Sequence, residues 1–444
     1  MNEKINHVLI LGCGQTGLSV GRYLNKNTKI SFYDENKITL DKAKKLFGTE
    51  KNLYFSGDLE EVFFKGVDCV AISPGIDPSH PVLKKIEKNN IKFHNDISLF
   101  FDNNNLLKTK VIAVTGTNGK TTVCSMIEQL AQDSGLKAKA VGNIGLPILD
   151  IEEVDALDVL IIELSSFQLE ILNKAKIDVG IILNISEDHM DRYDSFDQYL
   201  QAKAKLFDIS RINIINRDDE KLNSLNNKAN FSFGISECPN KKDYILINNY
   251  SDSYVKRGDN LSIELNDINL IGEHNKLNSM AAIACIQSAF PNFNDFKINN
   301  LKSISHRLEW VRSIKGIDFY NDSKATNVNA TITALKSFDK KNIFLIAGGD
   351  SKRQILKPLE KFIKKKVSAL YLIGQDAHIF EENFGFIDSL KITNFKLMSD
   401  AVLSAYKDAE SGDIVLLSPA CASYDMYENY EDRGNEYKSI VEEL

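Results

Sequence analysis

The sequence has no apolar run of the length needed to cross a bilayer, no excess of positive charge and no closely spaced pair of cysteines. Each absence excludes something. Its opening stretch, MNEKINHVLILGCG, holds only a few consecutive apolar residues before glycine, which reads as a buried strand and not as a secretory leader. The formal net charge is -7, and the lysines and asparagines are spread along the chain as solvated faces. That balance argues against a general binder of nucleic acid or acidic membrane, which carries a basic patch. Cys13, Cys69, Cys124, Cys238, Cys285 and Cys421 lie far apart with no C-x-x-C spacing, so neither a disulfide framework nor a zinc site is expected, and a reducing cytoplasm fits best. There is no short-period repeat and no low-complexity tract beyond NNN and KKK.

What is present is ordinary for a globular protein: 43% hydrophobic and 26% charged residues in 444, enough for about three domains. Short apolar runs ending in glycine or polar residues and leading into helical patterns predict strands in three blocks. The first block has strands at 8–11, 29–34 and 67–73, and a polar stretch, DNNNLLK (102–108), reads as a linker. The second has strands at 111–115, 159–166, 179–184 and 212–216, then Asn/Asp/Ser-rich strand-like pieces over 231–270 read as a peripheral sheet, then a helix over 274–290. PNFNDF (291–296) breaks that pattern, and the third block has strands at 343–350, 369–374 and 413–420. The expected domains are 1–103, 104–297 and 298–444, each an α/β parallel sheet with the outer two Rossmann-like. Strand after strand ends in Ser73, Thr115, Glu163, Asn184, Gly348 or Ser418. Ligands bind beyond such carboxyl ends, so more than one ligand is expected.

Two glycine-rich loops carry the strongest chemistry. GCGQTG (12–17) follows the first strand with Asp34 further on, the pattern that brings backbone N–H groups against a pyrophosphate; by itself it does not separate NAD from a UDP-sugar or from a bare turn. TGTNGKTT (115–122) lies between a strand and a helix but lacks the first glycine of the usual phosphate loop, where Val114 stands. Its amides around Asn118 can still cradle phosphates, Lys120 can reach the β and γ oxygens, and the Thr121 hydroxyl can ligate Mg²⁺. Glu163 ends a strand on the flank where a carboxylate serves Mg²⁺, although a solvent-facing glutamate reads the same way. DHMDRY (188–193) brings His189 to another strand end. Lys203 falls on the apolar helical face of Phe196, Tyr199, Leu206 and Phe207, while Lys205 points elsewhere. A buried lysine loses its charge readily and is open to covalent modification, whereas most helix lysines are solvated. In the third block HRLEW (306–310), YNDSKATN (320–327), AGGDSK (347–352) and SPACAS (418–423) suggest a further subsite, with Lys352 or Ser423 placed to hold a carboxylate.

The set TGTNGKTT, GNIG (142–145), ELSSFQLE (163–170), NISEDHMDRY (184–193), GEHNKLN (272–278), HRLE, NDSKATN and SPACASYD resembles the Mur ligase family, in order and over essentially the whole chain. The SSFQLE and SPACAS segments favour D-glutamate as the incoming amino acid and UDP-N-acetylmuramoyl-L-alanine as its acceptor. The resemblance implies a cytoplasmic, monomeric ligase that uses ATP and two Mg²⁺ ions, through an acyl phosphate. By motif it places Gly116, Thr117, Asn118, Gly119, Lys120, Thr121, Thr122, Asn275, Asn278, Arg307 and Asp322 around ATP. Thr121 and Glu163 would serve the first metal, and His189 with a carbamylated Lys203 the second. Thr16, Asp34, Ser73 and Gly75 would border the UDP, and Asn143, Ser165 and His189 the muramoyl part. Lys324, Thr326, Lys352 and Ser423 would meet D-glutamate, in a pocket where Tyr424 and Tyr430 depart from the family's hydrophobic pattern. Three rivals stand beside it: a sister ligase with another donor, an NAD-dependent oxidoreductase built on GCGQTG, and a nucleotide-binding module without turnover. The oxidoreductase leaves Glu163, His189, Lys203 and the third block without work.

Overall fold

A computed structural model describes residues 5–24, 28–76, 80–103, 108–143, 145–172, 174–188, 190, 192–248, 252–259, 261–265, 272–338 and 342–444. It divides into two compact units, one of residues 1–266 with 278–300 and one of 267–277 with 301–444. Among the described residues no helix is long and apolar enough to cross a membrane.

The first unit holds two sheets. In the first, β1 (His7–Leu11), β2 (Lys29–Tyr33), β3 (Leu53–Phe55), β4 (Cys69–Ile72) and β5 (Lys92–His94) run parallel in the order β3-β2-β1-β4-β5. The connections run through α1 (Gln15–Leu24), α2 (Lys37–Phe47) and α3 (Pro81–Lys88), and α4 (Asp96–Asn103) follows β5. The chain reverses direction across the sheet between β1 and β4, which leaves a crevice beyond their ends.

The central sheet contains β6 (Lys110–Thr115), β7 (Ala138–Gly142), β8 (Val159–Glu163), β9 (Ile177–Ile182), β10 (Ser210–Asn216), β11 (Phe231–Gly234), β12 (Tyr244–Asn248), β13 (Ser253–Arg257) and β14 (Leu261–Glu264). The helices here are α5 (Lys120–Asp133), α6 (Ser166–Ile171), α7 (Phe196–Ile209) and α8 (Glu273–Ala289). The strand order is β14-β13-β12-β11-β10-β9-β6-β8-β7. Two expectations are corrected. The strand expected over 159–166 stops at Glu163, because the Ser165 hydroxyl accepts the Gln168 N–H at 3.2 Å and the Gln168 side chain reaches back to the Ser165 N–H at 3.0 Å, a capping box that starts α6. The pieces after Phe231 form no separate sheet: β11 pairs parallel with β10, and the antiparallel ribbon β12–β14 extends the same sheet.

The two sheets of this unit share a core. Ile97, Leu99 and Phe100 of α4 belong to one buried cluster with Ile148, Leu149, Leu169 and Leu172. Asn95 donates to the Gln168 carbonyl at 2.9 Å, and Arg22 grips Asp150 with two N–H groups, one at 2.9 Å.

In the second unit β15 (Glu309–Ile314), β16 (Ile317–Asn321), β17 (Ile343–Gly348), β18 (Val367–Ile373), β19 (Lys391–Asn394) and β20 (Ile414–Leu417) form a sheet in the order β15-β16-β20-β17-β18-β19. All pairs are parallel except β15 with β16. Helices α9 (Val328–Lys336), α10 (Glu360–Lys366), α11 (Ala377–Phe384), α12 (Met398–Asp408) and α13 (Tyr430–Glu443) complete it. All six cysteines are free thiols; Cys238 is half-buried and the other five are buried.

Candidate functional site

The glycine-rich loop joins β6 to α5, so its amides gather at a helix N-terminus, where anions are favoured. Gly119 caps α5 with φ of 82°, a left-handed conformation that costs other residues, and a Cβ there would stand 3.1 Å from Asn278 Oδ1. The loop is braced from the segment after β9: Asn184 accepts the Asn118 N–H at 2.9 Å and donates to the Asn118 carbonyl at 3.0 Å. Thr117 Oγ1 lies 3.1 Å from Tyr199 Oη and accepts the Ser186 N–H at 3.0 Å. Lys120 donates to the carbonyls of Gly116 and Thr117, both at 2.8 Å.

Thr121, on the first turn of α5, donates to Glu163 Oε2 at 2.8 Å, while Asn143 approaches Oε1 at 3.5 Å. Glu163 is only 2% exposed, set by the apolar strand β8. Gly142 leaves room for this arrangement, since a Cβ there would fall 2.5 Å from the Glu163 carbonyl oxygen.

Lys203 is inside. It is 2% exposed and donates to the Gly116 carbonyl at 3.0 Å, with its ammonium 4.7 Å from the centre of the Tyr199 ring. Burial first, and the charge of Lys120 second, push its amine well below the ordinary lysine range, against pulls from Asp188 and Glu163. Lys205 is exposed and donates to the Glu170 carbonyl at 2.8 Å, as the helical-face argument requires. His189, expected beside them, lies outside the described residues.

In the first sheet, Thr16 lies on the first turn of α1, Asp34 directly after β2, and Ser73 and Gly75 directly after β4, all at the carboxyl ends of the strands. Asp34 Oδ2 accepts the Cys13 N–H at 2.6 Å, so it shapes the loop itself, and Ser73 donates to the Gly12 carbonyl at 3.0 Å. A Cβ on Gly17 would meet the Gly12 oxygen at 1.8 Å, which makes the last glycine of GCGQTG obligatory for the close turn.

In the second unit the crevice lies beyond β16, β20 and β17. Asp322 is buried, accepting the Leu308 N–H at 3.0 Å and the Ser418 hydroxyl at 2.8 Å, and burial raises its carboxyl to about 7. Arg307, half-buried, is among the charges that oppose that rise. Asn275 is buried near the start of α8, in the segment assigned to this unit. Lys324 sits 3.5 Å above the Tyr430 ring and Lys352 5.6 Å from the Tyr424 ring. Tyr430 and Tyr424 thus each face a lysine ammonium. Thr326 accepts from Gln354 at 3.2 Å through its carbonyl, and Ser423 is buried.

Sequence reasoning missed Arg433. Its guanidinium is 1% exposed and donates to Ser323 Oγ at 3.0 Å, the Ser323 carbonyl at 2.8 Å, and the carbonyls of Cys421 and Ala422 at 3.1 and 3.3 Å. It ties the loop of Lys324 to the loop of Ser423. Burial lowers its pKa to about 10. The signal was present: Arg433 stands four residues before Tyr437 on the buried face of α13.

These residues fit a nucleotide with Mg²⁺. A hard cation that keeps its waters and substrate phosphates needs one or two protein oxygens, and Thr121 with Glu163 supply them beside the phosphate loop. Among the described residues no cluster of three or more His, Cys, Asp or Glu side chains could hold a metal.

Fold and loop together define a nucleotide-using enzyme of three α/β sheets. The chain matches the Mur ligase middle domain over 114–286, the Mur ligase glutamate ligase domain over 306–421 and the MurD-like N-terminal domain over 6–94. It belongs to the Mur ligase family, three-domain ATP-dependent amide ligases of peptidoglycan synthesis. Among curated proteins it is similar to UDP-N-acetylmuramoylalanine--D-glutamate ligase of Nitrosomonas europaea, 34% identical over 99% of this chain and 97% of that one. The enzyme of the same name from Buchnera aphidicola is 38% identical over 98% of each. Among solved structures, MurF ligase from Thermotoga maritima in complex with ADP shares the fold, with a TM-score of 0.62, 15% identity and full coverage of both chains.

Proposed function

We propose that the chain joins D-glutamate to UDP-N-acetylmuramoyl-L-alanine at the expense of ATP. The observation that carries this reading is the near full-length likeness to relatives bearing that activity in their names. The acceptor's carboxylate oxygen bonds the γ-phosphorus as the bond to ADP breaks. The D-glutamate amine then attacks the resulting acyl carbon, loses a proton, and inorganic phosphate leaves.

Both partners of each step are anionic, so the protein must gather positive charge and exclude water. In this reading the amides of 116–119, with Lys120, hold the β and γ phosphates, and Thr122, Asn275, Asn278, Arg307 and Asp322 contact ATP. Thr121 and Glu163 hold one Mg²⁺, His189 and a carbamylated Lys203 a second; bound there, the metal supplies positive charge against the phosphate oxygens. The low-pKa amine of Lys203 supports the carbamate, since a neutral nitrogen can bond the carbon of CO₂ and release a proton. Thr16, Asp34, Ser73 and Gly75 border the UDP, Asn143, Ser165 and His189 the muramoyl group, and Lys324, Thr326, Lys352 and Ser423 the amino-acid carboxylates. The Ser165 hydroxyl reaches substrate while keeping its cap on α6. We place the domains at 1–103, 104–297 and 298–444, and the enzyme in the cytoplasm as a monomer.

Phosphate release from ATP with the UDP substrate and each amino acid in turn tests the proposal. Release is expected with D-glutamate and not with L-glutamate, diaminopimelate or L-alanine. Equal release with all four, or with none, overturns it.

A further inference from the structure

A cavity of about 430 Å³ opens at the amino-terminal ends of β6, β9 and β10, the end of the central sheet opposite the glycine-rich loop. Small-molecule sites occupy roughly 300–1,000 Å³. Its charged lining is Lys108, Lys110, Lys176, Arg211 and Asp178, against apolar wall from Ile177 and Ile209.

Charge is what sets this cavity apart. A chain of net charge -7 places four cations and one carboxylate around a single opening, a local excess of three positive charges. The carboxylate is not a loose counter-ion. Asp178 is 8% exposed and accepts the Val111 N–H at 3.0 Å and Lys110 Nζ at 3.1 Å, with Arg211 at 3.7 Å. Anchored to the backbone, it holds Lys110 and Arg211 at one rim, which lowers the entropy lost when an anion recruits both. The site is also close to the chain's entry into the sheet, where Thr109 is fixed by donating to the carbonyls of Leu157 at 3.0 Å and Val154 at 3.2 Å.

We propose that this cavity binds a polyphosphate-bearing small molecule, separately from the phosphate loop. The recognised chemistry is a compact anion of two or more negative charges, either free pyrophosphate or the diphosphate end of a nucleotide whose body lies on Ile177 and Ile209.

Magnesium-free calorimetric titration of the full-length protein with pyrophosphate tests this. The crevice of the first sheet also accepts a diphosphate in the proposed function, so the readout is the site each variant loses. Lys120→Ala is expected to remove one pyrophosphate site, at the phosphate loop, and Lys176→Glu/Arg211→Glu a different one, so that the combined protein lacks both. The milder Lys176→Gln/Arg211→Gln protein should bind at the rear site at least tenfold more weakly, with its ligase rate unchanged. A charge-reversed protein that keeps every pyrophosphate site of the wild type overturns the proposal. For the site present in Lys120→Ala and lost in Lys120→Ala/Lys176→Glu/Arg211→Glu, ADP binding tenfold tighter than pyrophosphate assigns it to nucleotides, and equal affinity assigns it to free polyphosphate.

Discussion

At Lys203 two demands conflict. The apolar face of α7 carries it inside, yet an ammonium without a carboxylate partner at hydrogen-bonding distance is costly there by several kcal/mol. Among the described residues it meets the Gly116 carbonyl and the face of the Tyr199 ring. In the proposed reading, conversion to a carbamate would resolve the conflict by making the group an anion able to face a bound cation. Lys203→Ala is therefore expected to lose at least 99% of activity and to regain part of it with added formate or acetate; full activity in the alanine enzyme would show that the residue has no such role. Asp322 presents the opposite case, a carboxyl raised by burial from 3.8 to about 7. Between those values the folded protein keeps a proton that the unfolded chain releases, so stability falls as pH rises through the window and the full cost is present above about 7. Asp322→Asn should gain stability relative to wild type on going from pH 5 to pH 8, read from denaturant midpoints. An offset that does not change with pH would contradict the assignment.

Elements were legible where apolar runs are short and bounded, as in HVLIL, VIAVT and IFLIAG. Their ends were less so, because Ser165 reads equally as strand or cap until its partner Gln168 is seen to close the box. Register was not legible at all: nothing in the polar stretch after Phe231 says that its strands continue the central sheet. The phosphate loop and its Thr121–Glu163 pair followed from residue type and position, whereas the bracing by Asn184 and Tyr199 depends on long-range contacts that no local pattern encodes. The same holds for Arg433, whose four bonds fasten two loops to α13. Arg433→Met removes those bonds while keeping volume. It should raise the KM for D-glutamate tenfold or more with the KM for the UDP substrate within a factor of two. Equal changes in both would mark a general loss of structure.

On the scale of the whole molecule, the first two sheets share one buried cluster and the Arg22–Asp150 grip, so they should unfold together. Calorimetry of residues 1–300 is expected to give one cooperative transition, and two resolved transitions would show that the shared core does not couple them. The cysteines offer a way to follow such events. Burial pushes the thiols of Cys13, Cys69 and Cys421 up to about 12, and it raises those of Cys124 and Cys285 well above the ordinary thiol range too. A maleimide should titrate one thiol in the native protein and six after denaturation, and more than one fast native reaction would contradict the burial. Cys238 is then a ready-made labelling position: a dye attached there, on the segment between β11 and β12, marks a single known spot on an otherwise unmodified enzyme and makes it visible to fluorescence without engineering.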